Sequence, residues 1–213
     1  VNLEQHKGYW VRPGTLDKYI VDELPGYGIL PLKANDRVLD VGGCIGSYAR
    51  WAAGLAEKVW TYEPMPDNFA VLKKNVAGLA NVSAHQLAVT TSEDEVIPFY
   101  VNVGLNKGAH SVIPTRGRQV IHVRTERWRH IMAKLKPTKI KMDCEGAEYD
   151  LLQPPLNKHV QGLVIEYHLT KTGQRAAACE LHERLIIQGF DPIREPILNT
   201  GAWTAFAAYK RVK

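Results

Sequence analysis

Short apolar runs alternate with amphipathic stretches along most of the chain, and the two periods predict strands separated by helices. Residues 38–41 form an apolar run after the Asn35-Asp36 turn. Residues 46–55 are small and apolar at helical spacing, 58–62 predict a second strand, and 66–76 a helix with Asp67 as its cap. A third strand is expected over 81–88. Upstream, 15–24 predicts one short helix, with Thr15 as N-cap and Pro25-Gly26 as its stop. The middle is less regular, with short strands at 96–103, 110–113 and 119–125 around a loop rich in Gly, Asn and Arg. Alternation returns with a helix at 128–135, a strand at 139–142 and a helix at 147–152 that Pro154-Pro155 ends. A strongly apolar strand at 160–166 and an amphipathic helix at 175–188 capped by Gly189 follow. Residues 190–194 and 203–209 then read as a closing antiparallel pair. This order predicts an α/β, doubly wound, mostly parallel seven-stranded sheet covered on both faces, with an antiparallel C-terminal strand.

The first strand runs into Asp40-x-Gly42-Gly43-x-x-Gly46, and the second ends on Glu63. A glycine turn between strand and helix presents backbone N–H groups to an anionic or polar ligand, and glycine is expected where the chain bends sharply or approaches that ligand closely. An acid at the tip of the second strand can accept hydrogen bonds from two ribose hydroxyls. A dinucleotide fingerprint starting at Gly42 would need glycine at Cys44 and Ser47, and no Walker sequence occurs. The spacing instead resembles motif I of class I S-adenosylmethionine (SAM) methyltransferases.

The chain has 213 residues, 45% of them hydrophobic, enough for one substantial core, and one domain is expected over 1–213 with a helical entry segment at about 1–34. No run of apolar residues is long enough for a membrane span, and the N-terminal residues lack a signal-peptide pattern. Three cysteines make no disulfide framework, so a reducing, cytoplasmic location is expected. The net charge of +5 admits an anionic partner, but the basic residues are dispersed, with concentrations only at 116–129 and 134–141. Solvated surface is preferred to a nucleic-acid groove. Nothing in the pattern assigns an oligomeric state.

A second motif, Lys141-x-Asp143-x-Glu145-Gly146-x-Glu148, gathers three carboxylates around one glycine at a strand's end. In a doubly wound sheet the carboxyl ends of the strands line the ligand crevice, so Asp143 and Glu145 are expected to face the pocket of Asp40 and Glu63. Glu148 reads equally well as an acid favouring the N-terminus of the next helix.

With this motif the sequence resembles the FkbM family of SAM-dependent methyltransferases. Further matches are Arg12-Pro-Gly-Thr15-Leu-Asp17, Glu63-Pro64-Met-Pro66-Asp-Asn68-Phe69 and Val164-Ile-Glu166-Tyr-His168. The likeness extends from about Arg12 to the C-terminal hairpin. It departs at Thr125-Glu126-Arg127-Trp128, where the family often has T-L-D, at Cys44, and over 106–118, where no match is found. The resemblance implies a Rossmann-like class I fold and methyl transfer from SAM to a hydroxyl of a sugar, glycan, or glycosylated or polyketide-like metabolite. It implies that Gly42, Gly43 and Gly46 hold the methionine end, that Arg12, Thr15 and Asp17 close over it, that Glu63 holds the ribose, and that Leu87 and Ala88 border the adenine.

An aliphatic hydroxyl needs help to lose its proton. His168 and Asp143 are alternative bases, and Asp143 with Glu145 is an alternative hard-oxygen site for a divalent metal. A metal-free site is preferred, because these acids are too close in sequence for an open cage. Cys44 and Cys144 are read as inert small residues at neighbouring strand ends, and Trp51, Trp60 and Trp203 as core. His110 and Ser111 are loop residues within reach of a substrate hydroxyl. Two further functions remain open: an RNA 2′-O-methyltransferase, in which Lys141, Asp143 and Glu166 imitate a lysine–acid site, and a non-catalytic SAM-binding domain.

Overall fold

A computed structural model describes residues 2–104, 110–114, 117–169, 173–198 and 202–212. The chain opens with a hairpin that the sequence pattern does not announce, β1 (Glu4–His6) and β2 (Tyr9–Val11). Its turn, Lys7-Gly8, has positive φ at both residues, the geometry whose twist matches antiparallel strands. The expected single helix is two short ones, α1 (Asp17–Asp22) and α2 (Leu24–Tyr27). Pro25 does not stop the helix. It sits in the first turn of α2, where a missing N–H costs nothing. Thr15 is not the N-cap, which is Leu16; its hydroxyl accepts from the Asp17 amide at 3.2 Å.

The main elements then follow as β3 (Arg37–Val41), α3 (Ser47–Ala53), β4 (Lys58–Tyr62), α4 (Pro66–Asn75) and β5 (Val82–His85). Asp67 lies inside α4, whose N-cap is Met65. The third strand is shorter than expected, because the chain leaves the sheet after His85. Ala88–Thr90 (β6) pairs instead with β8 (Gln119–Arg127), which also pairs with β7 (Val96–Val101), giving a separate three-stranded sheet. The segment around Ser111 contributes only a bridge to Tyr100. The chain returns through α5 (Trp128–Leu135), β9 (Lys139–Met142), α6 (Glu148–Leu151), β10 (Gly162–His168), α7 (Gln174–Ile187), β11 (Phe190–Arg194) and β12 (Thr204–Arg211).

The seven-stranded sheet has the order β11-β12-β10-β9-β3-β4-β5. Five strands from β10 to β5 are mutually parallel, and β12 runs antiparallel to both of its neighbours. Alternate residues of each strand enter opposite cores. Leu39, Ile140, Met142, Leu163 and Ile165 pack against α5 and α7, while Val38, Val59 and Val164 pack against α2 and α3. Both faces are thus dry, and each fully buried leucine contributes roughly 1.5–3 kcal/mol. The chain starts in mid-sheet at β3, winds outward to β5, and re-enters on the other side at β9. That reversal, between β3 and β9, leaves a crevice at the strands' carboxyl ends.

Candidate active site

The turns after β3 and β9 meet across this crevice. A Cβ built on Gly42 (φ 81°) would collide with the Asp143 carbonyl, and one on Gly43 with Thr61 Oγ1. Gly46 (φ 80°) would press on Leu72 Cγ at 2.9 Å. The sequence reading assigned these glycines to close ligand approach. In the structure, contact with the protein's own second turn, β4 and α4 already demands them. Two non-glycine residues are left-handed here, Cys44 (φ 46°) and Glu145 (φ 55°), one in each facing turn. Such backbone persists only where its surroundings enforce it.

A cavity of about 760 Å³ fills the crevice, a volume typical of small-ligand sites. Gly42, Gly43, Glu63, Leu87 and Ala88 line it, as do Asp143, Glu145 and His168. Glu63 is buried, accepting from the Cys44 amide at 2.9 Å and the Met65 amide at 2.8 Å. Burial nevertheless pushes its pKa up to about 7. The Asn68 side chain is a third donor, which leaves one of the carboxylate's four lone pairs for a ribose hydroxyl, so the residues present fit the nucleoside half of SAM.

The remaining cofactor candidates lie behind the wall. Asp40 is fully buried, accepting from Thr61 Oγ1 at 2.7 Å and facing Lys141 Nζ at 3.3 Å. Arg12 donates to both oxygens of the fully buried Asp17, at 2.8 and 2.9 Å, and to Asn68 of α4 at 2.8 Å. Thr15 donates to the Arg12 carbonyl at 2.9 Å. Arg12, Thr15, Asp17, Asp40 and Gly46 do not line the cavity; Thr15 and Asp17 brace Arg12 within the entry segment, and Arg12 ties that segment to α4 through Asn68. That segment reaches the cavity through Leu16, Tyr19, Ile20 and Glu23 instead.

The acid cluster has an architecture of its own. Lys141 Nζ donates to the Gly42 carbonyl at 2.6 Å and lies 3.5 Å from Asp143 Oδ2. Burial disfavours its charge, but Asp40 and Asp143 outweigh burial and raise its pKa, so it is held as a cation. Tyr27, from α2, donates toward Asp143 Oδ2 at 2.8 Å and Glu166 Oε2 at 2.9 Å. Burial and the nearby Asp143 push Glu166 up to about 7. Burial also opposes the Asp143 charge, but Lys141 and His168 prevail and its pKa is lowered. Glu148 is fully buried and is more than a helix-end charge. It accepts from the Gly146 amide at 2.8 Å and the His168 amide at 2.9 Å, and lies 3.2 Å from His168 Nδ1. Burial works against a charged His168, yet Glu145 and Glu148 raise its pKa well above 6.5. Ser111 donates to the Glu145 carbonyl at 2.8 Å, fastening the second sheet's loop to this turn.

Burial pushes the thiols of Cys44 and Cys144 well up, which makes both poor nucleophiles. Trp51 and Trp60 are partly buried against the cores, whereas Trp203 is 77% exposed on the cavity rim and is no core residue. Tyr27 was not anticipated as a site residue. Nothing local marks it, since its partners are 116 and 139 positions away.

The sheet order, the reversed β12 and a glycine turn facing an acid at the tip of β4 define a Rossmann-like methyltransferase of the SAM-dependent class. Residues 40–195 match the model of the methyltransferase FkbM domain, and the chain belongs to that family. Solved structures share the fold. An rRNA methylase from Streptococcus thermophilus aligns with TM-score 0.51 and 12% identity, covering 95% of this chain and 98% of that one. A Streptococcus mutans methyltransferase in complex with SAH gives TM-score 0.54 and 11% identity over 91% and 97%. Aeropyrum pernix fibrillarin with natively bound SAM gives 0.50 and 13% over 98% and 81%. No curated protein matches the sequence. Among the described residues no helix is long and apolar enough to cross a membrane.

Proposed function

We propose that this methyltransferase acts on oxygen, methylating a hydroxyl of a sugar, glycan, or glycosylated or polyketide-like metabolite. The observation that carries the reading is the cluster of Asp143, Glu145 and His168 on the cavity wall beside the glycine turn. SAM supplies an electrophilic methyl group bonded to a cationic sulfur. Glu63 binds the ribose, Gly42 and Gly43 bound the methionine end, and Leu87 with Ala88 borders the adenine. Arg12, Thr15, Asp17, Asp40 and Gly46 support this binding at one remove, by holding the entry segment, Lys141 and the turn in place. The C–O bond forms as the C–S bond breaks, its electron pair stays on sulfur, and the hydroxyl proton leaves toward the acid cluster. Glu148 keeps His168 in one orientation, and Lys141 with Tyr27 holds Asp143 Oδ2, leaving Oδ1 toward the acceptor end. Alignment and exclusion of water supply much of the rate.

Two features support a neutral, amphipathic acceptor over RNA. Tyr19 and Trp203 are exposed on the rim, 59% and 77%, and offer aromatic faces of the kind that sugars and polyketides stack on. The wall carries five acids, Glu23, Glu63, Asp143, Glu145 and Glu166, against the cationic Arg118, Lys141 and His168, and an excess of acids disfavours a phosphate backbone. Lys141 is committed to Gly42, Asp40 and Asp143 rather than offered to a ribose. Incubation with isotopically labelled SAM and a cell-extract library, followed by mass spectrometry, tests the reading. Label in a neutral hydroxylated metabolite or glycan supports it; label in RNA overturns it.

A further inference from the structure

The phenolic oxygen of Tyr27 lies within hydrogen-bond length of two carboxylates, yet it carries one hydrogen. Asp143 and Glu166 therefore share a single phenolic proton, with Lys141 3.5 Å from Asp143 Oδ2 on the other side. The imidazole beside them also faces carboxylates without bonding them closely. The Glu148 carboxylate takes Nδ1 of His168, so Nε2 is the nitrogen presented to the cluster, 3.8 Å from Asp143 Oδ1 and 3.6 Å from Glu145 Oε1. Both distances exceed hydrogen-bond length. His168 is 4% exposed and lines the cavity.

A ring nitrogen aimed at carboxylates, with its other nitrogen fixed by a buried acid, is the arrangement that orients a histidine for a metal. One oxygen of Asp143, one of Glu166 and one nitrogen of His168 lie within 4.8 Å of one another. Donors bound to a common ion at about 2.0–2.4 Å stand about 3–4.8 Å apart, so small side-chain adjustments bring all three onto one centre. Asp143, Glu145 and Glu166 lie on the Nε2 side of His168, and the nearest lysine, Lys141, is shared with Asp40 and Gly42. The sequence favoured a metal-free site because Asp143 and Glu145 alone are crowded. The structure brings the missing donors from the neighbouring strand β10.

We infer that Asp143, Glu166 and His168 form a binding site for one divalent cation, oriented by Glu148, at the acceptor end of the cavity. Two carboxylates and an imidazole suit an ion of borderline hardness such as Mn²⁺ better than Mg²⁺, which prefers oxygen alone. The use of the ion rests on the hydroxyl-acceptor reading. A bound cation makes a coordinated hydroxyl more acidic and gives the departing proton a route to solvent or to a free carboxylate oxygen. Its binding does not rest on that reading.

The test is a titration of the whole protein, saturated with SAH, with Mn²⁺, following the free-ion signal by electron paramagnetic resonance. One saturable site is expected, with Kd below about 100 μM. Glu166→Gln and His168→Ala should each weaken it by about 10–100-fold while SAH affinity stays within about twofold. No saturable uptake by wild type below about 1 mM, with SAH bound, overturns the inference. Undiminished uptake in the double variant overturns it as well. Undiminished methyl transfer to a hydroxyl after chelation would refute the ion's use while leaving O-methylation intact.

Discussion

At the scale of single residues, two carboxylates carry the account. Asp143 is held by Tyr27 and Lys141 on one oxygen and faces His168 with the other. Asp143→Asn is nearly isosteric but cannot take a proton, so methyl transfer should fall by about 10²–10⁴-fold. Calorimetric SAH affinity should change little, since Glu63 and the glycine turn are untouched. Glu63 predicts a pH dependence. Its pKa is raised to about 7, so it is a full acceptor above that pH and becomes protonated as pH falls through it. SAH affinity should therefore decline from pH 8 to pH 6, by up to about tenfold per unit below 7. Glu63→Gln should bind weakly and show a flat profile. An equally steep profile in that variant would remove Glu63 as the titrating group.

At the scale of elements, what was legible in the sequence is what is local. Strand β3 with its glycines, β4 with Glu63 and β9 with Asp143 each combine an apolar run with chemistry in the next few residues. Such a run specifies its own end, and the parallel sheet then places those ends along one edge. Two things were illegible because they depend on distant partners, and a third pair was assigned to the ligand instead of to each other. Tyr27 reaches Asp143 and Glu166 because the second helical turn, with Pro25 near its start, packs on a face of the sheet. Glu148 clamps His168 from a neighbouring element besides accepting from the Gly146 amide ahead of its own helix. Arg12 and Asp17, read as ligand contacts, satisfy each other, because a buried charge with an opposite partner five residues away is settled locally. The expected third strand, 81–88, runs past β5 to the first residue of β6, since periodicity does not show a change of sheet. Tyr27→Phe keeps the ring packing with Tyr48 and Phe206 but removes the bridging hydroxyl. It should reduce turnover by about tenfold or more with SAH affinity within about twofold. A drop confined to thermal stability would reduce Tyr27 to a packing residue.

At the scale of the whole molecule, the winding of the sheet decides where chemistry occurs. Every group assigned to the reaction comes from the carboxyl ends of β3, β4, β9 and β10 or from segments folded over them. The price is a tightly packed sheet. Leu163→Ala, at a fully buried position of β10, should cost about 2–5 kcal/mol in chemical denaturation. A cost below about 1 kcal/mol would contradict the assigned core. The positive charge of the protein is dispersed, whereas the cavity wall is acidic. Methylation of a neutral acceptor should thus hardly change between low and moderate salt, while an RNA acceptor would show a steep decline. The measurement that bears most directly on the central claim is the carbon-13 spectrum of the product made from methyl-labelled SAM. The account predicts the labelled methyl on an ether oxygen formed from an aliphatic hydroxyl, accumulating at least about a hundredfold more slowly when Asp143→Asn replaces the wild type. Label on nitrogen, carbon or sulfur, or equal labelling by the variant, would contradict it.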